Sequence, residues 1–289
     1  MTNVQELADG FSYLEGPRWR NGKLYVSDFY THQVLAIDES GKVELVATVP
    51  EQPSGLGWLP DGRLLIVSMR DRRVLRQEED GSLTEHADLS ELTTWHLNDM
   101  IVDEAGRAYV GSFGFDLMSG APVQTANIVL VQPDGSAEVA ADDLAFPNGM
   151  DLLDNGGTLV VSESFGNRLS SFNVDSSGEL SARQDWASFG PEPTSEDIAE
   201  VLESVSAVPD GLCRDEDDTV WVADAIGQRV VRVAKGGEIV DQVSTGDLNV
   251  FACALGGSDG RTLFMCAAPT FAEHERRDTR EGVLLTAKV

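Results

Sequence analysis

The chain has 289 residues, 42% of them hydrophobic, with 28 glycines, enough for one large all-β domain or two ordinary ones. Its 49 acidic and 21 basic side chains give a formal net charge of −28, which argues against nucleic acid or an anionic membrane as a partner, because phosphates need Lys and Arg to neutralise them. No run approaches the ~18 apolar residues that span a bilayer, and Met1–Glu6 has neither the basic nor the apolar region of a secretory signal, so the expected location is the cytoplasm.

In chain order, Lys23–Ser27 and Gln33–Ile37 read as strands, and Val43–Ala47 follows the Glu39-Ser40-Gly41 turn. A short polar–glycine stretch, Glu15-Gly16-Pro17, precedes them. The same unit returns as Ser54-Gly55 before Leu64–Ser68, Asn98-Asp99 before Ala108–Ser112, and Asn148-Gly149 before Leu159–Glu163. It returns again as Asp210-Gly211 before Val220–Asp224, and more weakly as Phe251-Ala252 before Leu263–Cys266. The apolar runs begin at 24, 64, 108, 159, 220 and 263. Repeats of ~40–50 residues, each holding about four strands, predict a six-bladed β-propeller. They run from end to end without a linker, so residues 1–289 are expected to form a single propeller domain. Asn3–Ala8 is expected to supply the missing outer strand of the last blade beside Gly282–Thr286, closing the ring and removing exposed edges.

Tight turns at Asp61-Gly62, Glu104-Ala105-Gly106, Asn155-Gly156-Gly157 and Asp217-Asp218 join first to second strands. Asp80-Gly81, Asp134-Gly135, Ser177-Gly178 and Gly236-Gly237 join third to fourth. In an up-and-down sheet both sets lie on one face. Three long insertions therefore fall on the other: Ser112–Thr125, Phe189–Ala207 with a helical pattern over Thr194–Leu202, and Ala267–Arg280. That face is the expected functional one. Cys213, Cys253 and Cys266 form no Cys-x-x-Cys and are odd in number, so neither a disulfide framework nor a thiolate zinc site is indicated. They are expected as small core residues on inner strands. His32, His86 and His274 carry no motif and are expected at the surface.

Because every first strand lines the central channel, Glu15, Asn98, Asn148 and Asp210 should converge at one end of it. Asn or Asp before Gly is an ordinary turn former, and that accounts for any one of them alone. Four in register, two of them carboxylates, point instead to a hard-oxygen site for calcium or magnesium.

The stretches Leu14-Glu15-Gly16-Pro17-Arg18-Trp19, Leu97-Asn98-Asp99-Met100, Phe146-Pro147-Asn148-Gly149 and Val208-Pro209-Asp210-Gly211 resemble the senescence-marker/regucalcin/gluconolactonase family of six-bladed propellers. The resemblance spans nearly the whole chain. It implies a hydrolase of sugar or other small lactones with one divalent ion: calcium first, with magnesium, manganese or zinc as alternatives. It further implies Glu15, Asn148 and Asp210 as protein ligands, with Asn98 beside the metal contacting it or the substrate. Such an ion would polarise the lactone carbonyl, and Asp210 would take the proton of the attacking water as general base. No Gly-x-Ser-x-Gly elbow is present.

Two substrate positions depart from the family. His96 stands where an arginine is expected two residues before the asparagine, and Asp116 is the nearest counterpart of an acidic substrate-holding residue. With Trp95, Phe113 and Phe115 nearby, the pocket reads as more aromatic than a polyol site. The expected partner is a small-molecule substrate; the pattern fixes no oligomeric state. Two alternatives stay open: phosphotriester hydrolysis of the diisopropyl-fluorophosphatase type, whose propellers use the same Glu, Asn, Asn, Asp set, and a non-catalytic metal- or ligand-binding propeller.

Overall fold

The computed structural model describes residues 3–216 and 218–289, so Asp217 of the Asp217-Asp218 turn lies outside the described residues. Alternating apolar runs separated by glycine turns fold into six four-stranded antiparallel sheets, five of them simple meanders in strand order and the sixth completed by the first strand of the chain. The inner strands are Leu14–Arg20, Pro53–Trp58, Leu97–Val102, Pro147–Leu153, Pro209–Arg214 and Asn249–Gly256. Each packs against the inner strand of the next blade, and the sixth returns to the first. The result is a six-bladed β-propeller.

Ring closure follows the expected route. Val4–Phe11 pairs antiparallel with Gly282–Lys288, with Val4 opposite Ala287 and Phe11 opposite Gly282. The sixth sheet is thus built from both ends of the described chain.

Apolar side chains on facing blades fill the space between them, at about 25 cal/mol per Å² removed from water. Leu24 and Val26 of blade one meet Phe264 and Leu284 of blade six. Tyr109 and Ile128 of blade three meet Val161 and Phe172 of blade four, and Trp221 and Val230 of blade five meet Met265 of blade six.

The inner strands share a second feature. In every blade the register with the second strand slips at the polar–glycine position: between Glu15 and Arg18, Pro53 and Leu56, Leu97 and Met100, Pro147 and Met150, Pro209 and Leu212, and Val250 and Ala252. Such bulges re-aim side chains. The glycines in them allow the inner strands to touch. A Cβ on Gly149 would lie 2.4 Å from the Leu212 amide nitrogen, and one on Gly211 would lie 2.5 Å from the Cα of Ala252.

Some local expectations shift. The helix in the second insertion spans Ile198–Ser204 rather than Thr194–Leu202, because the Asp197 carboxylate accepts the Ala199 and Glu200 amides and fixes the start there. Cys213 and Cys253 lie on inner strands, whereas Cys266 lies on the second strand of blade six. Of the histidines expected at the surface only His274 is exposed; His32 and His86 are half-buried. Among the described residues, no helix is long and apolar enough to cross a membrane.

Candidate metal and substrate site

The four bulge residues meet. Glu15, Asn98, Asn148 and Asp210, each at most 7% exposed, line one cleft of about 70 Å³ at the end of the channel. All three insertions contribute to it, through Leu117 and Met118, Leu202, and Phe271. The first two insertions are joined where the Val123 amide donates to the Glu196 carbonyl at 2.8 Å.

Hydrogen bonding orients the amides. Asn98 Nδ2 donates to the Pro147 carbonyl at 3.2 Å. Asn148 Nδ2 donates to Ser164 Oγ at 3.2 Å, and that hydroxyl donates to the Pro209 carbonyl at 2.8 Å. Asn98 is thereby tied to the next blade directly and Asn148 through the Ser164 hydroxyl, leaving the carbonyl oxygens for the cleft. One Glu15 oxygen accepts the Gly16 amide at 3.1 Å and the other the Tyr13 hydroxyl at 3.4 Å. Asp210 Oδ1 is buried and has no hydrogen-bond partner.

That orphaned oxygen is costly in a protein interior. The electrostatics agree. Burial, and then the Asp99 carboxylate, push Glu15 from 4.5 up to about 8. Burial, and then the charges of Glu15 and Asp99, hold Asp210 well above the usual carboxylate range. Two buried carboxylates and two amide oxygens therefore lack a positive partner, which is the donor chemistry a hard divalent cation needs. Among the described residues no three His, Cys, Asp or Glu side chains cluster as metal ligands. The convergent set depends on its amides.

Below the cleft, Arg18 of blade one reaches Asp99 of blade three, with Nη2 2.8 and 2.9 Å from the carboxylate oxygens and 2.6 Å from the Met100 carbonyl. Asp99 stands where four of the other five bulges carry glycine and the sixth blade's carries Ala252, and its pairing with the half-buried Arg18 links two inner strands across the channel.

A second group of carboxylates holds the site from behind. Asp28 accepts the Tyr13 amide at 2.9 Å, Glu163 the Ala145 amide at 2.7 Å, and Asp224 the Val208 amide at 3.1 Å. Each pins the backbone just before Glu15, Asn148 or Asp210. The equivalent second-strand positions in the other three blades are Ser68, Ser112 and Ala267. The sequence reading missed these three acids, although the endings Ser27-Asp28, Ser162-Glu163 and Ala223-Asp224 were visible in it.

Residues 14–269 match the SMP-30/gluconolactonase/LRE-like family model. The chain belongs to that family. Family relatives include a regucalcin of Danio rerio, 27% identical over 65% of this chain, a match that spans only 59% of that protein's length. A pentonolactonase of Haloferax volcanii is 23% identical over 88% of this chain and 81% of its own. The solved structure of a gluconolactonase from Xanthomonas campestris superposes with a TM-score of 0.76 at 22% identity, covering 99% of this chain and 89% of that one. At that identity it speaks to the fold alone.

Within this family frame, two expected substrate residues do not reach the cleft. His96 stacks on Trp95 at 5.0 Å and is absent from the lining; burial lowers its pKa below the ordinary 6.5. The Asp116 carboxylate is spent capping the short 3-10 turn Leu117–Ser119, accepting the Ser119 amide at 3.1 Å and its hydroxyl at 2.6 Å. Phe113 lines the cleft, whereas Phe115 packs behind it against Phe146 and Phe165.

Proposed function

We propose that this chain hydrolyses a small lactone at a divalent cation held by Glu15, Asn148 and Asp210, with Asn98 beside it. The observation that carries the reading is the partnerless buried Asp210 Oδ1 at the meeting point of three other oxygen donors. The pentonolactonase name of a family relative supports the reaction class. Calcium is the first candidate ion, because the donors are all hard oxygens. A cation bound there would supply Lewis-acid polarisation of the substrate carbonyl.

The protein's own groups do the rest. Asn98 and Asn148, fixed by their tied nitrogens, place carbonyl oxygens without needing to reorganise. Asp210 accepts the proton of the attacking water and returns it to the ring oxygen as the carbon–oxygen bond breaks, yielding a hydroxy acid. Asp28, Glu163 and Asp224 hold the backbone that carries Glu15, Asn148 and Asp210, so each ligand is presented from a fixed strand. The apolar walls limit competing water.

The test is Asp210→Asn. Turnover of a lactone is expected to fall by about 10³-fold or more, and the rise in thermal midpoint on adding calcium is expected to disappear. Retained turnover would remove Asp210 from its role. A calcium-induced shift unchanged in the variant would remove it from the metal.

A further inference from the structure

The carboxylate and amide groups of the cleft, Glu15, Asn98, Asn148 and Asp210, lie on its floor. Apart from them, Ser164 and the Tyr13 hydroxyl, the lining is hydrocarbon or aromatic, and it includes no Lys, Arg, His, Gln or Thr. Phe113 and Phe146 pack at 4.6 Å, Phe146 and Phe165 at 5.2 Å, and Tyr13 and Phe251 at 4.8 Å. The two polar wall groups are already engaged: Ser164 by Asn148 and Pro209, and Tyr13 by Glu15.

The apolar surface continues outward. Met118 and Ile226, both in the lining, are 40% and 42% exposed, among the few large hydrophobic side chains shown to water among the described residues. They extend the hydrocarbon wall from the floor to the mouth. Scattered exposed hydrophobics need no explanation, but two on the rim of one apolar cleft mark a binding surface.

From this we infer that the substrate is an uncharged lactone or ester carrying a hydrocarbon substituent, its ring on the polar floor and its tail running out between Met118 and Ile226. The inference rests on the hydrolase reading above and names its substrate class. A polyhydroxylated ring would bury several hydroxyls without partners, each lowering affinity roughly five- to hundredfold. A carboxylate, sulfonate or phosphate substituent would meet no cationic side chain in the lining, and it would approach a protein of net charge −28. The same field favours departure of the product, because hydrolysis converts a neutral lactone into a hydroxy-acid anion.

The experiment compares kcat/KM of the calcium-loaded protein on δ-valerolactone, on δ-lactones with alkyl tails of increasing length, and on an aldono-δ-lactone. The alkyl series is expected to gain about fourfold per methylene until the tail leaves the rim, and to exceed the aldonolactone by about 100-fold or more. Replacing both rim residues, Met118→Asp with Ile226→Asp, is expected to cost the long-tailed substrates at least about tenfold more than it costs δ-valerolactone, and an equal loss on both would overturn the placement of the tail. Equal or better turnover of the aldonolactone would overturn the inference and leave the hydrolase reading standing. If no lactone is turned over, the hydrolase reading fails, and binding of the matching lactams decides the substrate class. An alkyl δ-lactam binding at least tenfold tighter than a polyhydroxylated one by calorimetry supports it; the reverse order overturns it.

Discussion

Removing divalent ions should make the protein progressively less stable as pH rises, the opposite of what most carboxylates produce. Glu15 is lifted from 4.5 to about 8 and Asp210 is shifted in the same direction. The unfolded chain releases these protons near the ordinary values, and the folded chain keeps them longer. Between the two, the folded state binds more protons, so stability falls as pH rises. Glu44 and Glu78, held down to about 2 by their basic and hydroxyl partners, have already made their full contribution above pH 5. His86 and His96, lowered from 6.5 by burial, work in the opposite sense below that value, so the clean window is pH 6.5 to 8.5. Across it Glu15 alone withdraws roughly 2 kcal/mol, at about 1.36 kcal/mol per pH unit up to 8, and Asp210 adds to this. With about 2–4 °C per kcal/mol for a chain of this size, the midpoint in strong chelator should fall by roughly 4–8 °C or more. Melts followed by circular dichroism in chelator and in calcium measure it. Calcium should raise the midpoint most at high pH, because its ligands must be deprotonated. Asp210→Asn in chelator should start higher and slope less. A flat or rising midpoint in chelator would refute the idea that Glu15 and Asp210 share a buried site.

Two further outcomes test the scaffold. Gly211→Ala should destabilise by about 2 kcal/mol or more, since the new Cβ meets backbone of the neighbouring blade that has no room to move; a denaturant melt matching the parent would contradict the close approach. Deleting residues 1–8 should lower the thermal midpoint by several degrees, because it strips most of the outer strand from the sixth sheet and exposes the edge of Gly282–Lys288. An unchanged midpoint would mean that the pairing carries no stability.

The architecture was legible because its signal repeats. Polar–glycine before a short apolar run occurs at a period that only a ring of small sheets accommodates, and the parity of the turns placed the insertions correctly. The convergence of Glu15, Asn98, Asn148 and Asp210 followed from the same geometry. What the sequence hid depends on contacts between distant residues or on the details of a loop. Arg18 and Asp99 lie 81 positions apart, and no local pattern announces their pairing across the channel. Asp116 was the nearest match to the family's acidic substrate-holding residue, yet a three-residue turn formed beside it and took its carboxylate. His96 lies one strand step from the site, where its neighbour Trp95 offers an aromatic face instead of the cleft.

The closure of the ring has a consequence for when the site can exist during synthesis. Glu15 belongs to the first blade and Asp210 to the fifth, and the strand that locks the first blade against the last pairs Val4 with Ala287. Val4–Phe11 waits for Gly282–Lys288 before that seam can form. Until then the arc is open, and nothing fixes the distance between Glu15 and Asp210. A growing chain can thus assemble its blades one after another without prematurely trapping an ion or a substrate. Cation binding at the proposed site would then report that the ring has closed.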